Sequence, residues 1–177
     1  VTEELAYVVE HAGARYAIAE NQEQVDKLLE IQKTVPSLKT IVYVDPRGLR
    51  HYEGLLSYDE VQTRGAKRLA ATPDLVSSQV AKGRGDDDAI MLYTSGTTGR
   101  PKGAVLRQSA LLWNAYNGIH AHDLSQRDHV LTALPMFHVG GLNNQTLPAL
   151  LAGGEVTLHR RFDPGLWLSD VQRSEEH

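Results

Sequence analysis

The feature that most constrains the fold is an alternation of helical and strand-like segments along the chain. The stretch TEELAYVVEHAG, residues 2–13, carries apolar residues at helical spacing, and the short strand-like segment RYAIA follows it. EQVDKLLEIQKTV then returns to the helical period before the strand-like LKTIVYVD. This alternation predicts an α/β fold, with a largely parallel sheet or sheets joined by crossover helices.

The alternation resumes after a polar connector that ends in AKGRGDDD. We place the internal boundary there, between an α/β segment of residues 1–85 and a second α/β segment of residues 86–177. Before it, a helix is expected from about Ser57 to Ala71. The tripeptide Arg84-Gly85-Asp86 matches an adhesion sequence, but so short a match arises readily by chance, and we interpret it as a solvated loop.

Beyond the connector, strands are predicted in AIMLYT, AVLR, HVLTALP and EVTLHR. A helix from about Ser109 places five apolar residues on one face: Leu111, Leu112, Ala115, Tyr116 and Ile119. The segments GGLNNQTLPALLAGG and DPGLWLSDVQRSEEH are also predicted to be helical.

Composition excludes several classes of protein. The 177 residues are 41% apolar and 23% charged with a net charge of -4, which is typical of a soluble globular protein and not of one that binds nucleic acid. The chain has no cysteine, which excludes disulfides, thiolate metal sites and a cysteine nucleophile, and which agrees with a cytoplasmic location. No apolar run approaches the roughly 20 residues of a membrane span.

The stretch MLYTSGTTGRPKGAVL, residues 91–106, concentrates the groups that bind a polyphosphate. Closely spaced glycines let backbone amides approach the phosphates, while hydroxyls and one cation complete the shell. The common P-loop pattern is absent, because Pro101 precedes Lys102 and Gly103 follows it. Since Pro101 disfavours helix at Arg100, the chain is expected to turn back into the strand AVLR. The candidate nucleotide ligands are Thr94, Ser95, Gly96, Thr97, Thr98, Gly99 and Lys102.

The phosphate-binding stretch resembles the signature of a known enzyme family. YTSGTTGRPKGA resembles, over its whole length, the phosphate-loop signature of the adenylate-forming superfamily, which includes acyl-CoA synthetases, firefly-type luciferases and peptide-synthetase adenylation domains. The block from Ala133 to Pro164 is similar to the next motif of that family in its acyl-CoA synthetase form. The first eighty residues resemble the segment upstream of the loop in fatty-acid and related CoA ligases. The resemblance implies a part of the large N-terminal domain of such an enzyme.

The resemblance implies a two-step reaction. In the first step a carboxylate attacks the α-phosphate of ATP, which forms an acyl-adenylate and releases pyrophosphate. In the second step the acyl-adenylate passes its acyl group to coenzyme A and AMP is released. We expect the carboxylate to be a fatty acid. Lys102 would hold the β- and γ-phosphates, and Thr94 would bring a hydroxyl close to the phosphates and Mg²⁺. The expected cofactors and co-substrates are therefore ATP, Mg²⁺ and coenzyme A.

The resemblance also changes the interpretation of PMFHVGG. A lone histidine after an apolar run is more often structural, but the matching histidine of the family lies between the acyl and nucleotide pockets, so His138 is a candidate substrate-site residue. Gly140 and Gly141 would leave space for an acyl chain. They could equally let a helix pack closely against a sheet.

Two other kinds of site are disfavoured. His120 and His122 stand two residues apart at a helix end and do not share a face, so we interpret them as solvated side chains and not as metal ligands. A serine hydrolase would need a Gly-x-Ser-x-Gly elbow, and the sequence has none.

The family's later motifs, among them its catalytic lysine, have no counterpart in the chain. We therefore expect the chain to be incomplete as an enzyme and weakly active or inactive alone. The alternative is a non-catalytic nucleotide-binding or interaction module, with exposed strand edges that would allow homo-oligomers. The sequence does not identify the acid.

Overall fold

The computed structural model describes residues 2–94 and 100–175. In chain order the elements are α1 (Thr2–His11), β1 (Tyr16–Ala19), α2 (Gln22–Gln32), β2 (Thr40–Tyr43), β3 (Leu56–Ser57), α3 (Tyr58–Ala71), α4 (Leu75–Val80), β4 (Asp88–Thr94), β5 (Lys102–Arg107), α5 (Gln108–His122), β6 (His129–Thr132), a π-helix (Gly140–Thr146), α6 (Leu147–Ala152), β7 (Glu155–Leu158) and α7 (Pro164–Glu175). None of the helices within these ranges is long and apolar enough to cross a bilayer.

Internal contacts divide the chain into two compact units. The first unit comprises Val1–Gly83 with Tyr93–Ala104, and the second comprises Arg84–Leu92 with Val105–His177. The division passes through β4 and β5, which pair with each other. The expected boundary between residues 85 and 86 stays a prediction; by contacts, the segment Tyr93–Ala104 belongs with the first unit.

The first unit is built on a parallel sheet of order β1-β2-β3. Its α2 begins where the Asn21 side chain accepts a hydrogen bond from the Gln24 amide at 3.2 Å, a helix cap that satisfies one of the free amides of the first turn. Val25, Leu28 and Ile31 recur along one side of α2 and are buried. They pack in one apolar core whose buried members are Val9, Ala19, Val25, Leu28, Ile31, Val35, Leu38, Ile41 and Leu49.

The second unit contains the parallel pair β6-β7 and the helices α5 to α7 with the π-helix. Several of its contacts are made at glycines. A Cβ atom added at Gly118 of α5 would lie 2.7 Å from the Pro148 side chain, and one added at Gly154 would lie 2.6 Å from the Asp128 carbonyl oxygen. Both distances are too short for any real Cβ, so these two positions require glycine unless the neighbours move.

The α/β prediction with parallel sheets is confirmed. The helix expected from Ser57 begins at Tyr58, because Ser57 is its cap: the Ser57 hydroxyl accepts a hydrogen bond from the Glu60 amide. The connector contains a short helix, α4, that we did not predict, and the segment GGLNNQT is a π-helix that leads into α6. On α5, Ala115 is buried while Leu112 and Tyr116 are exposed.

Candidate functional site

The predicted phosphate-binding residues lie where β4 ends and β5 begins. Thr94 is the last residue of β4 and Lys102 is the first residue of β5. The chain turns back into a strand directly after Pro101, as predicted, and that strand pairs with β4. The other five predicted ligands lie outside the described residues: Ser95, Gly96, Thr97, Thr98 and Gly99.

Thr94 and Lys102 are both exposed, and within residues 2–94 and 100–175 neither side chain has a hydrogen bond or an ion pair. A hydroxyl and an ammonium group without a partner among the described residues fit the chemistry of a nucleotide polyphosphate with Mg²⁺, since the hydroxyl oxygen can coordinate the metal or its proton can be donated to a phosphate oxygen, and the ammonium can neutralise the phosphates. That these two residues hold the phosphates and the metal stays a prediction.

The residues next to this segment contact α1. His11 Nδ1 of α1 shares a hydrogen bond of 2.7 Å with the hydroxyl of Tyr93, which immediately precedes Thr94. The guanidinium carbon of Arg100 lies 5.6 Å from the centre of the Tyr7 ring, which is a cation–π contact. Sequence reasoning missed these contacts, and no short-range pattern could have revealed them, because His11 and Tyr93 are 82 residues apart.

His138 lies two residues before Gly140, where the π-helix begins, and it is exposed. Its ring Nδ1 accepts a hydrogen bond of 3.3 Å from the Gly140 amide, and its own amide donates to the Pro135 carbonyl at 3.1 Å. The first bond turns the ring towards its own backbone and leaves Nε2 available to another group. Whether the ring meets a substrate stays a prediction.

The two predicted pocket glycines differ. Gly141 is buried, and a Cβ atom there would lie 2.5 Å from the Pro135 carbonyl oxygen and 2.6 Å from that of Leu134, so close backbone packing accounts for this glycine. At Gly140 a Cβ would lie 3.2 Å from the Leu134 side chain, which can move. Gly140 is therefore the better candidate for a position kept open for a ligand.

A cavity of about 420 Å³ lies between α5 and the π-helix within the second unit. Side-chain amides dominate its lining, and Gly140 borders it. The Asn114 side chain donates a 2.9 Å hydrogen bond to the Asn143 carbonyl, which joins α5 to the π-helix. The amide residues that line the cavity are Asn114, Asn117, Asn143, Asn144 and Gln145.

Two of these amides carry buried oxygens with no hydrogen-bond partner among the described residues, Oδ1 of Asn143 and Oε1 of Gln145. Buried polar atoms are normally paired, so these two are unusual. π-helical turns occur frequently at functional sites. The sequence analysis did not single out this group of amides, although the run Asn143-Asn144-Gln145 after Gly140 is visible in the sequence.

Comparison with known proteins identifies the family and the fold of the chain. The AMP-binding enzyme family profile matches residues 1–175. An indoleacetate–CoA ligase of Aromatoleum aromaticum is 50% identical over 111 residues, which cover 63% of this chain and 20% of that protein. A feruloyl-CoA synthase of an Amycolatopsis species is 48% identical over 88 residues, which cover 50% of this chain and 18% of that protein.

Among solved structures, ATP-bound MatB from Rhodopseudomonas palustris matches with a TM-score of 0.67 at 24% identity. The match covers 98% of this chain and 31% of that one, and at this identity it speaks for the fold alone. The chain thus spans about a fifth of the two curated relatives and about a third of the solved structure. With the family profile matched over residues 1–175, the chain belongs to the family of AMP-binding enzymes.

Proposed function

We propose that the chain supplies the phosphate-binding part of an AMP-forming acid–CoA ligase. The observation that carries the proposal is the exposed pair Thr94, at the end of β4, and Lys102, at the start of β5, in a chain that matches the AMP-binding family over nearly its whole length. The reaction would join a carboxylic acid to AMP with release of pyrophosphate and then pass the acyl group to coenzyme A.

In this proposal the chain acts by binding and neutralisation. The Lys102 ammonium offsets the charge of the β- and γ-phosphates, which become the leaving pyrophosphate, and this favours departure of that group. The Thr94 hydroxyl coordinates Mg²⁺ through its oxygen or donates a hydrogen bond to a phosphate oxygen. Backbone amides and hydroxyls of Ser95, Gly96, Thr97, Thr98 and Gly99 would complete the shell. Bound Mg²⁺ would neutralise further phosphate charge.

For the acid, we propose an aromatic carboxylate in preference to the fatty acid first expected. The names of two similar relatives contain indoleacetate and the feruloyl group, and each corresponds to an aromatic acid. The cavity beside Gly140 is lined by five side-chain amides, which suits a ring that carries a hydrogen-bond donor, such as an indole N–H or a phenol, better than a saturated acyl chain.

The experiment that tests the phosphate site is a calorimetric titration of magnesium-ATP into the 177-residue chain. Lys102→Ala removes one charge-assisted contact, so we expect the affinity to fall roughly 10-fold to 100-fold. Lys67→Ala, on the exposed face of α3, is the matched control and should leave the affinity unchanged. Equal affinities for Lys102→Ala and the unaltered chain would exclude the proposed phosphate role.

A second titration separates the acids and the alternative function. With magnesium-ATP present, indoleacetate or ferulate should bind more tightly than a medium-chain fatty acid, and His138→Ala should weaken that binding. The reverse order of affinities would restore the fatty-acid expectation. Binding of ATP with no response to any acid would favour the non-catalytic nucleotide-binding module.

A further inference from the structure

Tyr93 and Arg100, which lie on either side of the segment 95–99 in sequence, both contact the same face of α1. On the N-terminal side, Tyr93 shares its hydroxyl hydrogen bond with His11 Nδ1 at 2.7 Å, and the two rings meet edge to face with centroids 5.8 Å apart. On the C-terminal side, the Arg100 guanidinium lies 5.6 Å above the Tyr7 ring. These four residues all belong to the first unit.

The two α1 residues also contact each other. Tyr7 and His11 are four residues apart on the helix and therefore lie on one face, one turn apart. Their ring centroids are 5.4 Å apart. Tyr93, His11, Tyr7 and Arg100 thus form a continuous row, which we name the α1 clamp. It joins the strand residue before Thr94 to the second residue before Lys102.

The helix that carries the clamp is itself anchored in a core. Val9 of α1 is buried in the apolar cluster of the first unit, and Leu5 and Ala6 pack against the same cluster. Groups that must hold a ligand in a fixed geometry are best supported by such a packed element. Pro101 adds stiffness on the Arg100 side, because its ring fixes one backbone dihedral and restricts the residue before it.

We propose that Tyr7 and His11 are positioning residues for the polyphosphate: acting through Arg100 and Tyr93, they fix the spacing at which Lys102 and Thr94 meet the phosphates. This inference rests on the proposed function. Neither residue touches the nucleotide in this account. A purely structural role would instead make them ordinary contributors to the stability of the first unit.

The first arm of the test is hydrogen–deuterium exchange without nucleotide, read on peptides that span residues 93–102. His11→Ala should raise their exchange roughly threefold or more, with α2 and β2 unchanged. His51→Ala is the matched control, because His51 is an exposed histidine in the same unit. Unchanged exchange in residues 93–102, or a parallel rise across the whole first unit, would overturn the inference.

The second arm measures magnesium-ATP affinity in the same variants. We expect His11→Ala and Tyr7→Ala to weaken binding about 10-fold, with Tyr7→Phe and His11→Asn within about threefold of the unaltered chain. Tyr7→Phe keeps the ring beneath Arg100, and His11→Asn keeps a polar atom close to the Nδ1 position. A local rise in exchange with unchanged ATP affinity would contradict the positioning role.

The two arms keep the inference separate from the proposed function. If the unaltered chain does not bind ATP, the proposed function is overturned, and so is the claim that Tyr7 and His11 affect nucleotide binding. The exchange measurement would still decide whether α1 restrains Tyr93 and Arg100. Binding that depends on Lys102 but not on Tyr7 or His11 would overturn the inference alone.

Discussion

The two units of the molecule are stabilised by different kinds of contact. Most of the largest fully buried side chains belong to the first unit, and they are aliphatic: Ile31, Leu38, Ile41, Val25 and Val35. Those of the second unit are Thr132 and Pro148. Large apolar side chains are exposed in both units, for example Ile18 at 65% in the first and Phe137 at 81% in the second.

In place of an aliphatic core, the second unit uses close backbone packing and polar bonds. Gly118, Gly141 and Gly154 each admit a neighbour closer than any side chain would allow. His159, directly after β7, lies 2.7 Å from the Asp170 carboxylate of α7, and both side chains are largely buried. Hydrophobic burial tolerates small shifts because it has no direction, whereas these contacts depend on geometry. The second unit should therefore be the more sensitive to changes in shape.

The largest loss of unfolding free energy should come from shortening a buried aliphatic side chain of the first unit. Leu38→Ala removes a side chain that is 2% exposed, and the lost burial plus the cavity should cost about 2 to 5 kcal/mol of unfolding free energy. Leu150→Ala, in the second unit at 55% exposure, should cost less than about 1 kcal/mol. Hydrogen exchange of each unit in urea measures both losses. Similar losses in the two variants would contradict the conclusion that aliphatic burial stabilises mainly the first unit.

The second largest loss of unfolding free energy should come from replacing a glycine of the second unit. Gly141→Ala places a methyl group 2.5 Å from the Pro135 carbonyl oxygen, and relieving this overlap should cost about 1 to 3 kcal/mol. Gly65→Ala in α3 is the matched control: its Cβ meets nothing within 4 Å, so it should stabilise by about 0.5 to 1 kcal/mol. Thermal unfolding should give shifts of opposite sign, and a shared sign would contradict the packing argument.

A smaller effect is expected from the bond between α5 and the π-helix. Asn114→Ala removes the donor to the Asn143 carbonyl and should cost about 1 kcal/mol. Asn117→Ala, on the same helix, removes an exposed amide and should lie within about 0.5 kcal/mol of the unaltered chain. Chemical unfolding followed by tryptophan fluorescence suits this pair, because both tryptophans, Trp113 and Trp167, lie in the second unit.

The smallest effect should be a pH dependence of the second unit. Hydrogen bonds from the hydroxyl and amide of Ser125 lower the pKa of Asp128 below its ordinary 3.8. Because the folded pKa is the lower one, the stabilisation is present above the unfolded pKa and is lost as the pH falls through the folded pKa. Thermal unfolding between neutral and acidic pH should therefore show a weaker acid dependence in Asp128→Asn.

Asp88→Asn provides the control for that measurement. Asp88 is an exposed carboxylate in the second unit whose side chain makes no hydrogen bond or ion pair with another described residue, so its replacement should leave the acid dependence unchanged. Identical pH profiles for Asp128→Asn and the unaltered chain would show that the Ser125 bonds do not contribute.

The sequence predicted those parts of the fold in which local pattern and burial agree. In α2 the spacing of Val25 and Leu28 matches the face that is buried. On α5 the same reasoning grouped Leu112 and Tyr116 with Ala115, yet both are exposed, because spacing says which residues share a face and not what covers that face. The helix α4 and the two-residue strand β3 were missed because so few residues carry no clear period.

In the candidate site, too, local sequence predicted some residues and could not predict those that depend on contacts between distant segments. Thr94 and Lys102 could be predicted because their signature is contiguous in sequence, and their placement at strand ends agrees with it. Their roles stay predictions, as do those of His138 and Gly140. Tyr7 and His11 could not be predicted, since their contacts with Arg100 and Tyr93 form only when α1 meets the β4 end in the folded chain.

The π-helix between Gly140 and Thr146 has a consequence for how related chains can differ in length. A π-helical turn holds one residue more than the α-helical turn that it replaces, so deletion of a single residue there could restore regular α-helix without breaking the chain. Because each residue turns an α-helix by about 100°, such a deletion would rotate His138 and the amides of the π-helix relative to α6. A change of one residue in this short stretch would therefore reorient one side of the cavity while β6 and β7 keep their register.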